Sequence, residues 1–412
     1  MKNQPSTPST IITKEDIQEE ISALENTNES GKKAKSKLQI IEQYLNNKYS
    51  MRLNTILCLP EFKIKSDRID YKVMNENSIY RELEHNGYRC QINTIRTLLK
   101  SDFLPEFNPI QNYFETLPPY TIEEPDYIDA ITNYLRIKHN DNERFRIQFK
   151  KFIVRCVACS LKGIVNKQAL IIISPIQNCG KSTFCRWLCP SPLEAYIQEN
   201  IGIDKDSQIA LTENFIINMD ELATLTKADL ESLKSLLSKD VVKTRKPYDT
   251  KALTYKRVAN FVGSTNKTEF LTDVTGSVRW LCFEIESINF NYQKNSIDRL
   301  WAQAFYLLNN GFKYQMDQEE INENEIANSK YRQTSTEEDL IQRKYSIGCI
   351  TDNDAFYSST DILEQLRSDF PYLGKDLHAT RIGKALQALG FIQESKRGES
   401  GSRKGYYVKF VG

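Results

Sequence analysis

The stretch Leu170–Phe184, LIIISPIQNCGKSTF, constrains the fold of this chain more than any other. Leu170 to Ile173 is a run of branched apolar residues, the pattern of a strand buried on both faces. A polar loop follows, then Gly180-Lys181-Ser182-Thr183, then an apolar segment able to continue as a helix. That order predicts a phosphate-binding loop. The backbone of Gln177, Asn178, Cys179, Gly180, Lys181, Ser182 and Thr183 would cradle phosphates at a helix N-terminus. Lys181 would reach the β- and γ-phosphates of ATP, and the Ser182 hydroxyl would ligate Mg²⁺. The usual spacing G-x-x-x-x-G-K-[ST] has glycine where this chain has Pro175. Proline fixes φ and carries no N–H, so the loop is expected to start with a different turn. The bland alternative is a chance GKS on an ordinary strand-to-helix turn.

A nucleotide hydrolase also needs an acidic centre. Asn214–Asp220, NFIINMD, reads as a short apolar strand ending in Asp220-Glu221. Asp220 would stand on the Mg²⁺ side and Glu221 would polarise the attacking water, unless the aspartate merely caps a helix. A third strand, Val258–Ser264, runs into Thr265-Asn266. An amide at the tip of a strand beside the phosphate-loop strand can hold the γ-phosphate or the lytic water, which makes Asn266 the candidate. Arg279 lies thirteen residues on and suits a guanidinium inserted into a neighbouring subunit's site; the alternative is a surface ion pair.

Between these strands lies Lys239–Arg257, with seven basic residues against Asp240 and Asp249. That is a net +5 in nineteen residues of a chain whose total is +1. Pro247-Tyr248-Asp249 is turn chemistry between Val-, Thr- and Tyr-rich flanks, so the segment reads as a β-hairpin. Lys243, Arg245, Lys246, Lys251, Lys256 and Arg257 would grip a nucleic-acid backbone, or else simply line a solvated hairpin.

Taken in order, SPIQNCGKSTF, IINMDEL, KTRKPYD, GSTNKTEFLTDVTGSVRW and LWAQAFYLLNNG resemble superfamily 3 helicases. More closely they resemble the virulence-associated E (VirE-like) ATPases of phages and mobile elements, over Asp126 to Gly311. The resemblance implies an α/β P-loop core of the AAA+ kind. It also implies a hexamer with ATP between subunits and hairpins lining a pore for single-stranded DNA. Lys181, Ser182, Asp220, Glu221, Asn266 and Arg279 then take the roles given above, with Asn266 as the γ-phosphate sensor. A primase is expected only in trans: Asp67, Asp70 and His85 form no primase site.

The chain of 412 residues is long enough for two or three domains. We expect a polar tail over 1–35, an α+β domain over 36–125 and the P-loop domain over 126–315. A helical linker over 316–354 and a winged helix over 355–412 complete the expectation. Within the second segment, 49–73 reads as strand and 77–99 as helix broken at Gly87; Lys100–Pro119, with four of the thirteen prolines, reads as an irregular connector. No apolar run reaches eighteen residues, and nine cysteines lack periodic spacing, which together point to a cytoplasmic protein with reduced thiols. Cys156 and Cys159 form one CxxC in an apolar helical stretch and read as buried structural thiols.

In the C-terminal segment Ser359-Thr360-Asp361 is expected to cap a helix, with Glu364 completing a capping box. A second helix would span 380–389 and stop at Gly390. Short strands at 391–394 and 406–410 would flank a basic, Gly-rich loop. Helices followed by such a hairpin resemble a winged helix. Arg381 and Lys384 would face duplex DNA, and Lys396, Arg397, Arg403 and Lys404 would meet phosphates. The functional expectation is a DNA helicase or translocase. Its rivals are an ATP-switched replication initiator or loader and a partner-binding interference protein.

Overall fold

The computed structural model describes residues 35–67, 70–202, 204–220, 222, 225–246, 251–271, 277–349, 354–372, 376–398 and 401–411. The N-terminal tail up to residue 34, Glu221 and the Pro247-Tyr248-Asp249 turn therefore lie outside the described residues. The chain divides into two compact units, 1–116 with 245–252, and 117–244 with 253–412.

In the first unit, α1 (Lys37–Lys48) opens on a capping box between Ser36 and Gln39. A sheet of order β3-β2-β1-β4 follows, from β1 (Tyr49–Asn54), β2 (Leu59–Ile64), β3 (Lys72–Val73) and β4 (Glu106–Phe107). Helices α2 (Glu76–His85) and α3 (Ile92–Leu99) bury Ile79, Leu83, Ile95 and Leu98 with Ile41 and Leu45 of α1. Gly87 separates them with a left-handed φ of 82°, as its place in the sequence predicts. The stretch read as an irregular connector instead holds β4 and α4 (Pro109–Thr116). Pro109 takes the first helical position, where its missing N–H costs nothing.

The second unit is built on a six-stranded sheet. In chain order come α5 (Tyr127–Thr132), β5 (Leu135–Ile137), α6 (Asn142–Lys162), β6 (Ala169–Ile173), α7 (Lys181–Trp187) and β7 (Ile197–Glu199). Next are α8 (Lys205–Glu213), β8 (Ile216–Met219), α9 (Lys227–Ser238), β9 (Val241–Thr244), β10 (Leu253–Lys256), β11 (Asn260–Thr265) and β12 (Trp280–Ile288). Strand order is β5-β12-β6-β11-β8-β7, parallel throughout except for β5. Every residue of β6, β8 and β11 is buried, the mark of strands covered on both faces. Helix α6 and α10 (Ile297–Asn309) pack together, and the buried Trp301 indole of α10 donates to the Leu188 carbonyl at 3.0 Å. Cys156 and Cys159 are buried on α6, where burial pushes both thiols above their ordinary pKa.

The sheet tolerates little at its centre. A Cβ on Gly263 of β11 would lie 2.8 Å from the Met219 carbonyl oxygen of β8. Gly263→Ala is therefore expected to wedge the two strands apart and cost about 1–3 kcal/mol. A lower urea midpoint at unchanged slope would report this.

After α11 (Gln318–Ser329) the chain builds a smaller α+β element from α12 (Thr336–Lys344), β13 (Tyr345–Ile347) and β14 (Ala355–Tyr357). It continues through α13 (Ser359–Asp369), α14 (Ala379–Ala388), β15 (Glu394–Gly398) and β16 (Gly401–Phe410). The segment read as a linker contributes Leu340, Ile341 and Tyr345 to this core, beside Ile362, Leu366, Ile382, Leu386 and Val408. Two local expectations shift and a third holds to within a residue. The capping box of α13 is Ser358 with Asp361, one turn before the predicted pair. The predicted short strands and long loop are two longer arms, with Lys396 opposite Arg403 and Ser395 opposite Lys404. And α14 begins at Ala379, then stops before Gly390, whose φ is 85°.

Candidate functional site

In an open parallel sheet, ligands settle at the carboxyl ends of the strands. Here those ends bring together residues that lie far apart in the chain. A cleft of about 570 Å³ is lined by the loop 177–183 after β6, Asp220 after β8, Ser264, Thr265 and Asn266 at the end of β11, and Phe290 after β12. Arg186 of α7 completes its wall.

The loop turns by two left-handed residues, Asn178 at φ 57° and Gly180 at φ 91°. Pro175 is not one of them, so the conformational freedom of glycine is needed at 178 and 180 rather than at 175. Asparagine is the side chain best suited to the first of these positions. Lys181 is nearly buried, and its ammonium donates to the Ile176 carbonyl at 2.8 Å and lies 3.5 Å from the Cys179 sulfur. The loop thus wraps around its own lysine.

On the far side, Ser182 Oγ and Ser264 Oγ both donate to Asp220 Oδ1 at 2.6 Å, and the two hydroxyls are 3.2 Å apart. Two hydroxyls, from α7 and β11, and the carboxylate that follows β8 meet at one point. Asn200, itself in the left-handed region at φ 58°, accepts the Asp220 backbone N–H at 3.0 Å and so fixes the end of β8. Arg186 donates to Glu199 at 2.6 Å and lies 3.6 Å from Asp220 Oδ2. Glu199 also accepts from Asn218 at 2.8 Å. The Glu199 carboxylate raises the pKa of the Arg186 guanidinium, so a fixed positive charge stands beside the acid.

The sequence-predicted residues divide as follows. Gln177, Asn178, Cys179, Gly180, Lys181, Ser182, Thr183, Asp220 and Asn266 line one cleft. Glu221 lies outside the described residues. Arg279 does not line the cleft; its Nε donates to Ser238 Oγ at the end of α9, at 2.8 Å. Ser264, Arg186, Glu199, Asn200 and Phe290 escaped sequence reading. Only Ser264 carried a signal, as the last hydroxyl before Thr265-Asn266 on the strand singled out.

The basic hairpin forms as β9 and β10, paired antiparallel with Lys243 opposite Thr254. Lys243, Arg245, Lys251 and Lys256 are exposed. Two of the six depart from the expectation. Lys246 is buried and donates to the Ile56 carbonyl at 2.6 Å. Arg257 is buried at the hairpin's root, where it donates to the carbonyls of Ala259, Leu237 and Asn166 at 2.7–2.9 Å. Leu237 lies in the last turn of α9, so Arg257 satisfies a helix end that has no partner of its own. Neither side chain faces a phosphate backbone.

In the C-terminal element Arg381 and Lys384 are exposed on α14, with Arg381 3.8 Å from Glu337. The hairpin register puts Lys396 and Arg403 on one face and Arg397 and Lys404 on the other. Arg403 is held by Asp361 and Ser358, and Lys396 lies over the Phe356 ring.

With the geometry in hand, the sequence model of the virulence-associated protein E-like domain matches residues 120–333. The chain belongs to that family. The matched span of the virulence-associated protein E-like domain holds all the cleft residues and the basic hairpin. Among solved structures, an apo structure of the NrS-1 C terminal region is 13% identical, with a TM-score of 0.48 over 91% of this chain and 100% of that one. Its A form is likewise 13% identical, at 0.47 over 90% and 100%. No curated protein matches. No helix among the described residues is long and apolar enough to cross a membrane.

Proposed function

We propose that this virulence-associated protein E-like chain is an Mg²⁺-dependent ATPase that works on DNA, as a helicase or translocase in the replication of a phage or mobile element. The carrying observation is the convergence of Lys181, Ser182, Asp220, Ser264 and Asn266 on one cleft at the strand ends. Strand order supports it too, because β11 lies between the loop strand and the acidic strand and delivers Asn266 between them.

The donor set suits the metal. Mg²⁺ favours hard oxygen ligands, and one or two protein groups suffice when phosphates and water supply the rest. Ser182 and Asp220 offer a hydroxyl and a carboxylate already in contact. Bound Mg²⁺ would neutralise charge on the phosphates. Lys181 would exchange its bond to Ile176 for the β- and γ-phosphates, Asn266 would orient the γ-phosphate or the water, and Glu221 would polarise that water. Arg279 would act on a neighbouring subunit, which calls for an oligomer, with a hexamer as the expected state.

The exposed hairpin residues Lys243, Arg245, Lys251 and Lys256 would track single-stranded DNA. The C-terminal element would act as a winged helix on duplex DNA or a partner. A cytoplasmic setting and a primase acting in trans belong to the same proposal.

Steady-state ATP hydrolysis across a salt series, with and without single-stranded DNA, tests the reading. Turnover should rise several-fold with DNA and fade with salt. Lys243→Ala and Lys256→Ala should each flatten the salt dependence of DNA affinity by about one contact without lowering basal turnover. Turnover indifferent to DNA would overturn the motor and favour an ATP-switched initiator. No turnover and no ATP binding would overturn both.

A further inference from the structure

We propose that Phe290 is the nucleobase platform of the cleft, a specificity-determining contact that stacks on the base of the bound nucleotide. The inference rests on the nucleotide reading above. Sheet order sets the polarity of the cleft. Proceeding along the strand ends, β12 comes first, then β6 with its phosphate loop, then β11 and β8 with Ser264, Asn266 and Asp220. The metal and the terminal phosphate belong to the β11–β8 side, where the oxygen donors gather. A nucleotide whose phosphates lie over the loop must therefore point its base the opposite way, towards β12. Phe290 follows β12 by two residues and is the one aromatic side chain lining the cleft among the described residues.

The ring is built as a platform. Phe290 is 49% exposed and lines the cleft. It neighbours the buried Tyr292 ring, with centroids 6.5 Å apart and planes inclined by 30°, and Tyr292 is wedged edge-on against Phe184 and Trp187 of α7. The ring edge presses on the loop itself. A Cβ on Gly180 would lie 2.7 Å from Phe290, so the glycine admits the ring as well as the left-handed turn. An exposed aromatic anchored on a rigid stack beside a phosphate loop offers what a purine face needs. Such stacking is sequence-tolerant and strongest for the larger π-surface.

Calorimetric titration with ADP and, separately, with inorganic triphosphate, each with Mg²⁺, tests the assignment. Phe290→Ala should weaken ADP by about tenfold or more and leave inorganic triphosphate unchanged. Phe290→Leu keeps apolar bulk without a π-face and should fall between. Phe290→Trp should restore ADP affinity and show fluorescence quenched by ADP and not by triphosphate. The parent protein should prefer ATP and GTP to CTP and UTP, and that preference should flatten in Phe290→Ala.

Unchanged ADP affinity in Phe290→Ala would overturn the platform while leaving the nucleotide site standing. So would an equal loss of ADP and triphosphate, which marks a structural role. A parent protein that binds neither probe sinks the nucleotide reading and the platform with it.

Discussion

Lys181→Ala is expected to abolish ATP binding and turnover while leaving the fold intact. The side chain is only 6% exposed, yet its ammonium contacts only its own loop, the Ile176 carbonyl at 2.8 Å and the Cys179 sulfur at 3.5 Å, among the described residues. It does not bridge two elements of the core. Removing it leaves one backbone carbonyl at the rim of a cleft that water can enter, a cost of about 1 kcal/mol. In the proposed nucleotide site, removing the same ammonium would delete its contact with the β- and γ-phosphates. That loss is expected to reach about 100-fold in affinity, or ~2.7 kcal/mol, with a further loss in turnover. Titration with a fluorescent ATP analogue, beside a thermal melt, separates the two effects. Retained turnover would remove Lys181 from the site, and a melting temperature lowered by about 10 °C would make it a structural residue instead.

What could be read from the chain follows the range of the physics involved. The β6–loop–α7 unit is local: a run of Leu and Ile, a polar loop and a GKS make their own case within fifteen residues, and the strand, the loop and the helix form where the sequence puts them. The breaks at Gly87 and Gly390 are likewise local, because a left-handed residue after a helix leaves a sequence mark. The acidic strand and the strand of Asn266 were recognisable from their buried runs, and they lie as neighbours of one another in the sheet.

Ser264 shows where local reading ends. It enters the site because β11 inserts between β6 and β8, so its hydroxyl meets Ser182 and Asp220, 82 and 44 positions away. The chain of Arg186, Glu199, Asn218 and Asn200 is equally non-local. Nothing in the local sequence around Phe290 marks a ring that rests on Gly180.

Charge was the least reliable guide. Lys246 and Arg257 stand in a basic run that reads as solvated, and each is buried because a backbone carbonyl was in reach. The buried Arg257 guanidinium spends its donors on the backbone carbonyls of Ala259, Leu237 and Asn166 at 2.7–2.9 Å. The C-terminal hairpin forms as expected, but its strands extend further than the sequence suggests. Its Gly- and Lys-rich stretch looks like a loop, yet cross-strand pairing with β16 carries the ladder through it.

Arg279→Ala is expected to lower turnover by about 10³-fold with little change in ATP affinity, if the guanidinium serves a neighbour's site. Its position suits that role. It sits half-buried just before β12, away from the cleft of its own chain, and is steadied by the Ser238 hydroxyl at 2.8 Å. Among the described residues its hydrogen-bond partner is a neutral hydroxyl, which leaves the terminal guanidinium nitrogens suited to a second partner. The decisive experiment mixes subunits. On the proposed reading, Arg279→Ala protein would keep its phosphate loop and lack the finger, whereas Lys181→Ala protein would keep the finger and lack the phosphate-binding lysine. Each would be inactive alone, but an interface pairing the loop of the first with Arg279 of the second would contain every part. Turnover should therefore reappear on mixing, peak near equal proportions and vanish when the added protein carries both substitutions. Mixtures as inactive as their components would exclude the trans role. Loss of ATP affinity in Arg279→Ala alone would instead make the arginine part of the binding site of its own chain, with Ser238 as the residue that releases it.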